Sequence, residues 1–118
     1  MESFYHDPEG CARATKKLMT GSDRPSCILF PDDYSAMGGL RALAELGLRI
    51  PEDISVAGYD GINLAQVIGL TTFCQNAQVL GRTGAQKLIG LIENPEENPP
   101  ERTLIAGQIA EGDTVRTL

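Results

Sequence analysis

The sequence predicts an α/β fold built on a mainly parallel sheet flanked by helices, and three observations predict it. Short unbroken apolar runs, "CILF" at 27–30 and "ISVAG" at 54–58, alternate with longer stretches of helical spacing. Strands of a parallel sheet are covered on both faces, so they read as continuous apolar runs rather than as alternation. The order helix, strand, helix, strand, strand, helix, strand is that of an α/β chain, and 118 residues are enough for one compact unit and short for two.

Asp7-Pro8 starts the first helix, with the aspartate as N-cap and proline in the first turn, where its missing N–H removes no bond. Cys11, Ala14, Thr15, Leu18 and Met19 recur at helical spacing, and Gly21 stops the run. After the strand 27–30, "YSAMGGLRALAELG" places Met37, Leu40, Leu43, Ala44 and Leu46 three and four apart, and Gly47 closes it. The pair Gly38-Gly39 disfavours a free helix by about 1 kcal/mol per residue, so close packing against a neighbour is expected to compensate. "ISVAG" and "LTTFCQ" are the next strands, the latter β-branched and aromatic. Residues 77–92 return to helical spacing through Leu80, Gly84, Leu88, Leu91 and Ile92. "ENPEENPPE" breaks that pattern as a loop, "RTLIAGQIA" is strand-like, and the last residues read as frayed.

Composition narrows the function. Hydrophobic residues make up 42% and charged residues 22%, ordinary values for a globular chain. The net charge is −6 and the ten basic residues are scattered, whereas a nucleic-acid surface needs clustered Lys and Arg; this chain alone is not expected to bind DNA. The apolar runs are too short for a membrane span, and the acidic start "MESFYHDPEG" lacks signal-peptide character. Cys11, Cys27 and Cys74 are odd in number and set among apolar neighbours, which predicts reduced, mostly buried thiols in the cytosol. With one histidine and no CxxC pair, neither a zinc site nor any other metal or cofactor is expected.

Ligands of open parallel sheets collect beyond the carboxyl ends of the strands. That rule selects Phe30-Pro31-Asp32-Asp33-Tyr34, Gly58-Tyr59-Asp60-Gly61 and Cys74-Gln75-Asn76. Carboxylates, an amide and phenols at these places suit a polyol or a nucleobase edge, and they repel a phosphate. Plainer readings stand beside these: Asp33 or Asp32 caps the helix that follows, and Asp60-Gly61 is a turn dipeptide. His6 is the sole histidine, and no Ser, His and acid constellation assembles around it.

Three stretches in this order, "RPSCILFPDDYSAMGGLRALAELGLRIPEDISVAGYDG", "LTTFCQNAQVLGRTGAQKLIGLIENPE" and "RTLIAGQIAEGDT", resemble the C-terminal part of the LacI/GalR family of bacterial transcription regulators. The resemblance covers residues 24–115, and extends to 4–21 as a strand end and helix. It implies a truncated periplasmic-binding-protein-like, Rossmann-like C-terminal subdomain of an effector-sensing module, with residues 1–118 a fragment of that module. Asp32 falls where the family often has an effector-contacting asparagine, Asp60 on the aspartate of the GYD motif, and Gln75 on a further recurrent contact. Three positions depart from the family pattern: Asp32 replaces that asparagine, Gly61 stands where a second acid or amide is frequent, and Ala77 where an aromatic stacks on a sugar.

The resemblance also implies that helix 77–92 packs on a first subdomain outside these residues, that 103–109 returns to the second, and that the sheet lacks its first strand. Met37, Leu64, Val67 and Ile68 fall at the family's dimer contact, the alternative being ordinary core. The implied function is the effector-sensing part of a cytoplasmic regulator, not an enzyme, that takes a sugar or nucleobase effector, forms a homodimer and reaches DNA only through an N-terminal helix-turn-helix. A periplasmic sugar receptor of a transporter is the alternative. A Mg²⁺-dependent enzyme of receiver type, using Asp32, Asp33 and Asp60, is the third.

Overall fold

The computed structural model describes residues 5–117. Eight elements follow in order: α1 (Pro8–Thr20), β1 (Cys27–Leu29), α2 (Asp33–Glu45), β2 (Ser55–Asp60), α3 (Asn63–Val67), β3 (Thr71–Cys74), α4 (Ala77–Glu93) and β4 (Gln108–Ala110). The sheet runs β1-β2-β3-β4, with the first three strands parallel and β4 antiparallel to β3. This is the α/β architecture expected.

The helices begin and end where local chemistry directs. Asp7 caps α1 by accepting from Gly10 N–H at 2.8 Å, with Pro8 in the first turn. α2 ends in a Schellman arrangement: Leu48 N–H donates to Leu43 C=O and Gly47 N–H to Ala44 C=O, both at 3.0 Å, with Gly47 at φ 70°. The glycine pair of α2 finds its compensation. A Cβ at Gly38 would overlap the Pro8 carbonyl, and one at Gly39 the Phe30 ring, so α1 and the end of β1 lie directly against the α2 backbone. Met19, Phe30, Leu43, Ile54, Val56 and Leu70 close the core between these helices and one face of the sheet.

The other face is bare. Residues two apart share a face, and the register places Leu29, Ala57 and Thr71 in one row and Tyr59, Phe73 and Ile109 in the next. Leu29 is 70% and Ile109 67% exposed. The expectation that "CILF" is covered on both faces therefore fails: β1 is an edge strand with cover on one side. Cys27 on it is exposed and Cys74 half-buried, so of the three thiols only Cys11 is in the core.

The structure departs from the sequence pattern at three further places. α3 has no counterpart in the sequence pattern, because five residues are too few for helical spacing to register. The strand expected over "RTLIAGQIA", residues 102–110, narrows to Gln108–Ala110. The tail is not frayed, for Thr114 Oγ1 donates to Val56 C=O at 2.7 Å and accepts from Thr71 N–H at 2.9 Å, which ties residues 112–116 across the amino ends of β2 and β3.

α4 buries none of its side chains; Leu80, Leu88 and Ile92 are each more than half exposed. The radius of gyration is 18.4 Å and the extents 60 × 27 × 22 Å, against about 13 Å for a compact domain of this length. The expected single compact unit thus gives way to a globular part and a projecting helix.

Candidate functional site

β1, β2 and β3 are parallel and finish on one side, opposite the tied tail. Their carboxyl ends carry the three stretches that the sequence singles out. Asp60 and Gln75 meet there: the Gln75 side-chain amide donates to Asp60 Oδ1, and Gln75 N–H to Asp60 C=O at 3.4 Å. Asp60 Oδ2 accepts from the Tyr5 hydroxyl at 3.3 Å. The nearby negative charge of Asp60, together with desolvation, raises the Tyr5 phenol above its ordinary pKa.

Asp32 lies behind this rim. It is fully buried and caps α2 by accepting from Ser35 N–H at 2.7 Å. Its other bonds come from the Ser35 hydroxyl at 2.7 Å, from His6 N–H at 2.9 Å, and from a contact with His6 Nδ1 at 3.3 Å. Burial opposes its charge, yet these donors prevail and hold the carboxyl below its ordinary pKa. His6 stacks on Tyr5 with ring centroids 4.5 Å apart and packs T-shaped with Tyr34, centroids 5.6 Å apart. A continuous path thus runs Asp32, His6, Tyr5, Asp60, Gln75.

Asp33 does not cap α2. It is fully buried, and its Oδ2 accepts from Gly61 N–H at 2.8 Å and Ile62 N–H at 2.9 Å, while Oδ1 accepts from the Thr72 hydroxyl at 2.6 Å. One carboxylate at the head of α2 thus ties the turn after β2 to β3. Gly58 makes the room, since a Cβ there would overlap Asp33 Oδ1. Donors crowd Asp32 and Asp33 where a cation would need bare oxygens, which weighs against the Mg²⁺ reading. Among the described residues, none of the rim's hydrogen bonds comes from lysine or arginine.

His6, Asp60 and Asn76 have φ of 58°, 110° and 59°, the three non-glycine residues on the positive side among those described. Each precedes or ends an element at this rim. Such backbone conformations are disfavoured and collect at functional sites. Gly61, at φ 73°, has no room for the larger residue the family pattern would put there, because a Cβ would overlap Cys74 Sγ. Tyr5 and His6 fall outside the carboxyl-end rule because no apolar strand run precedes them in this sequence; the residues just before the Asp7 cap nonetheless occupy the same side.

Met37 is half-buried against the core, whereas Leu64 at 44%, Val67 at 80% and Ile68 at 41% are exposed on and beside α3. Ala77, first residue of α4, is exposed near Gln75.

Parallel strands with polar residues gathered at their carboxyl rim are the architecture of a binding-protein-like α/β domain. Residues 2–115 match the model of the periplasmic binding protein-like domain family, and the chain belongs to that family. It is 39% identical over 107 residues to the ribose operon repressor of Haemophilus influenzae, covering 89% of this chain and 31% of that protein. It is 39% identical over 95 residues to the HTH-type transcriptional repressor PurR of Escherichia fergusonii, covering 79% of this chain and 28% of that protein. The structure of a LacI family transcriptional regulator from Enterococcus faecalis with bound ribose superposes with a TM-score of 0.83 at 32% identity, over 95% of this chain and 42% of that one. The chain thus spans about a third of the length of the curated relatives it matches.

Proposed function

We propose that this chain supplies one wall of an effector cleft in a DNA-binding transcription regulator, with Asp60 and Gln75 as ligand contacts and Asp32 supporting them from behind. The observation that carries this reading is the meeting of Asp60 and Gln75, 15 residues apart, at the end of parallel strands. Gln75 directs its amide N–H to Asp60, so its carbonyl oxygen and the free capacity of Asp60 are acceptors. The rim therefore favours an uncharged ligand rich in hydroxyl or N–H donors, of the sugar or nucleobase class, and disfavours phosphate. The ribose bound to the Enterococcus faecalis regulator has this chemistry.

Effector binding shifts the balance between two arrangements of the lobes and so alters DNA affinity through a helix-turn-helix elsewhere in the whole protein. The chain acts as a homodimer in the cytoplasm and catalyses no reaction. The exposure of Leu64, Val67 and Ile68 supports a contact through α3, with Met37 contributing at its half-buried edge. The relatives' identity as repressors supports regulation over the periplasmic-receptor alternative.

Thermal shift with a panel of pentoses, hexoses and purines tests this. One class should raise the melting temperature, and Asp60→Ala should abolish the rise while leaving the fold intact. A panel in which Asp60→Ala responds as the unsubstituted chain does contradicts the assignment.

A further inference from the structure

We propose that two copies of this chain exchange α4, the apolar stripe of each helix lying on the bare sheet face of the other. The contact uses surfaces apart from the polar groups of the rim and holds whatever the rim binds. Leu80, Gly84, Leu88, Leu91 and Ile92 recur three and four apart and so share one side of α4. A helix of this pattern buries that side in a soluble protein, yet Leu80, Leu88 and Ile92 stand exposed. Gly81 and Gly84 weaken the helix further. A Cβ at Gly38 or Gly39 would overlap a neighbour within the chain, whereas one at Gly81 or Gly84 meets nothing within 4 Å. The close approach that compensates the first pair is open, in α4, to a second copy.

The sheet offers a surface of the matching kind. Leu29, Tyr59 and Ile109 are exposed on its bare face, and Tyr59 stacks on Phe73 with ring centroids 5.2 Å apart. None of these sheet residues and none of the stripe is charged, so both surfaces fit an apolar occupant. The 17 residues of α4 make a helix about 25 Å long, enough to cross four strands set about 4.8 Å apart. Area then points to the occupant. The chain exposes 8087 Å², about 1,900 Å² more than the roughly 6,200 Å² of a compact monomer of 12.7 kDa. Over two copies that excess comes to about 3,800 Å², inside the span of about 2,000–5,000 Å² buried by obligate homodimers. Pairing α4 with α4 would leave the sheet bare, and a contact through α3 would leave both surfaces bare. A second copy carries the two in equal number, and one two-fold exchange covers them together.

Val67→Lys isolates this contact by removing the one proposed on α3. Light scattering on that variant at high micromolar concentration should give the mass of two chains. Adding Leu88→Lys, at a side chain exposed in the single chain, should weaken the dimer at least about tenfold. Isotope-filtered NOEs between labelled and unlabelled copies should join Leu80, Leu88 and Ile92 of one to Leu29, Tyr59 and Ile109 of the other. A Val67→Lys chain that stays monomeric overturns the proposal and leaves α4 to a partner of different sequence. NOEs that join α4 only to α4, or a Leu88→Lys chain that dimerises as tightly as its parent, overturn the exchange.

Discussion

Replacing Asp33 by alanine leaves two backbone N–H groups and the Thr72 hydroxyl without their acceptor. The expected loss is about 3 kcal/mol in urea unfolding; a loss below about 0.5 kcal/mol would show that water substitutes for the carboxylate and that Asp33 does not organise the rim. Asp32 gives a pH signature. Its folded pKa lies below the ordinary 3.8, so its charge contributes stability that is fully present above the unfolded value and is lost as pH falls through the folded one. The stability gap between the chain and Asp32→Asn should be constant near neutrality and close below pH 3.8; a gap that persists unchanged in acid contradicts it. Both aspartates stand out in the sequence as two adjacent acids after an apolar run, but their division of labour does not. Capping depends on which carboxylate turns toward Ser35, and that is decided by Gly58 and Thr72, distant residues that leave Asp33 its space and its donor.

Among the elements, α1 and α2 are legible in the sequence because caps, spacing and terminal glycines all agree over 13 residues each. The Gly38-Gly39 pair signals a close approach without naming the partner. Gly38→Ala gains about 1 kcal/mol in helix propensity, yet its Cβ meets the Pro8 carbonyl, which is backbone and cannot swing aside. A net destabilisation of about 2 kcal/mol or more is expected from chemical unfolding; a stabilised variant would mean that α1 moves freely on α2. Strand coverage is less legible. An apolar run shows that a strand suits burial, and what lies over it belongs to other parts of the fold, so "CILF" reads the same whether Leu29 is covered or 70% exposed. α3 is too short for helical spacing to register, and the tied tail depends on long-range bonds to β2 and β3 that no local pattern announces.

At the scale of the molecule, exposed apolar side chains run along β1, the bare sheet face and α4, and an unpaired edge strand and contiguous apolar surface are where chains associate. Self-association is the expected outcome: light scattering behind size exclusion should give a mass above one chain at micromolar concentration, and Val67→Lys on α3 should lower it. A monomer throughout contradicts this. The order of the elements other than α3 and the common side on which β1, β2 and β3 finish follow from the sequence pattern, and with them the convergence of Asp60 and Gln75; the inward turn of Asp32 and the arrival of His6 do not. That convergence is the core of the functional reading, and mapping amide shifts on the chain with the best-stabilising sugar or purine probes it most directly. Shifts centred on His6, Asp60 and Gln75 are predicted; shifts centred instead on residues 112–116, at the amino ends of the strands, would contradict it.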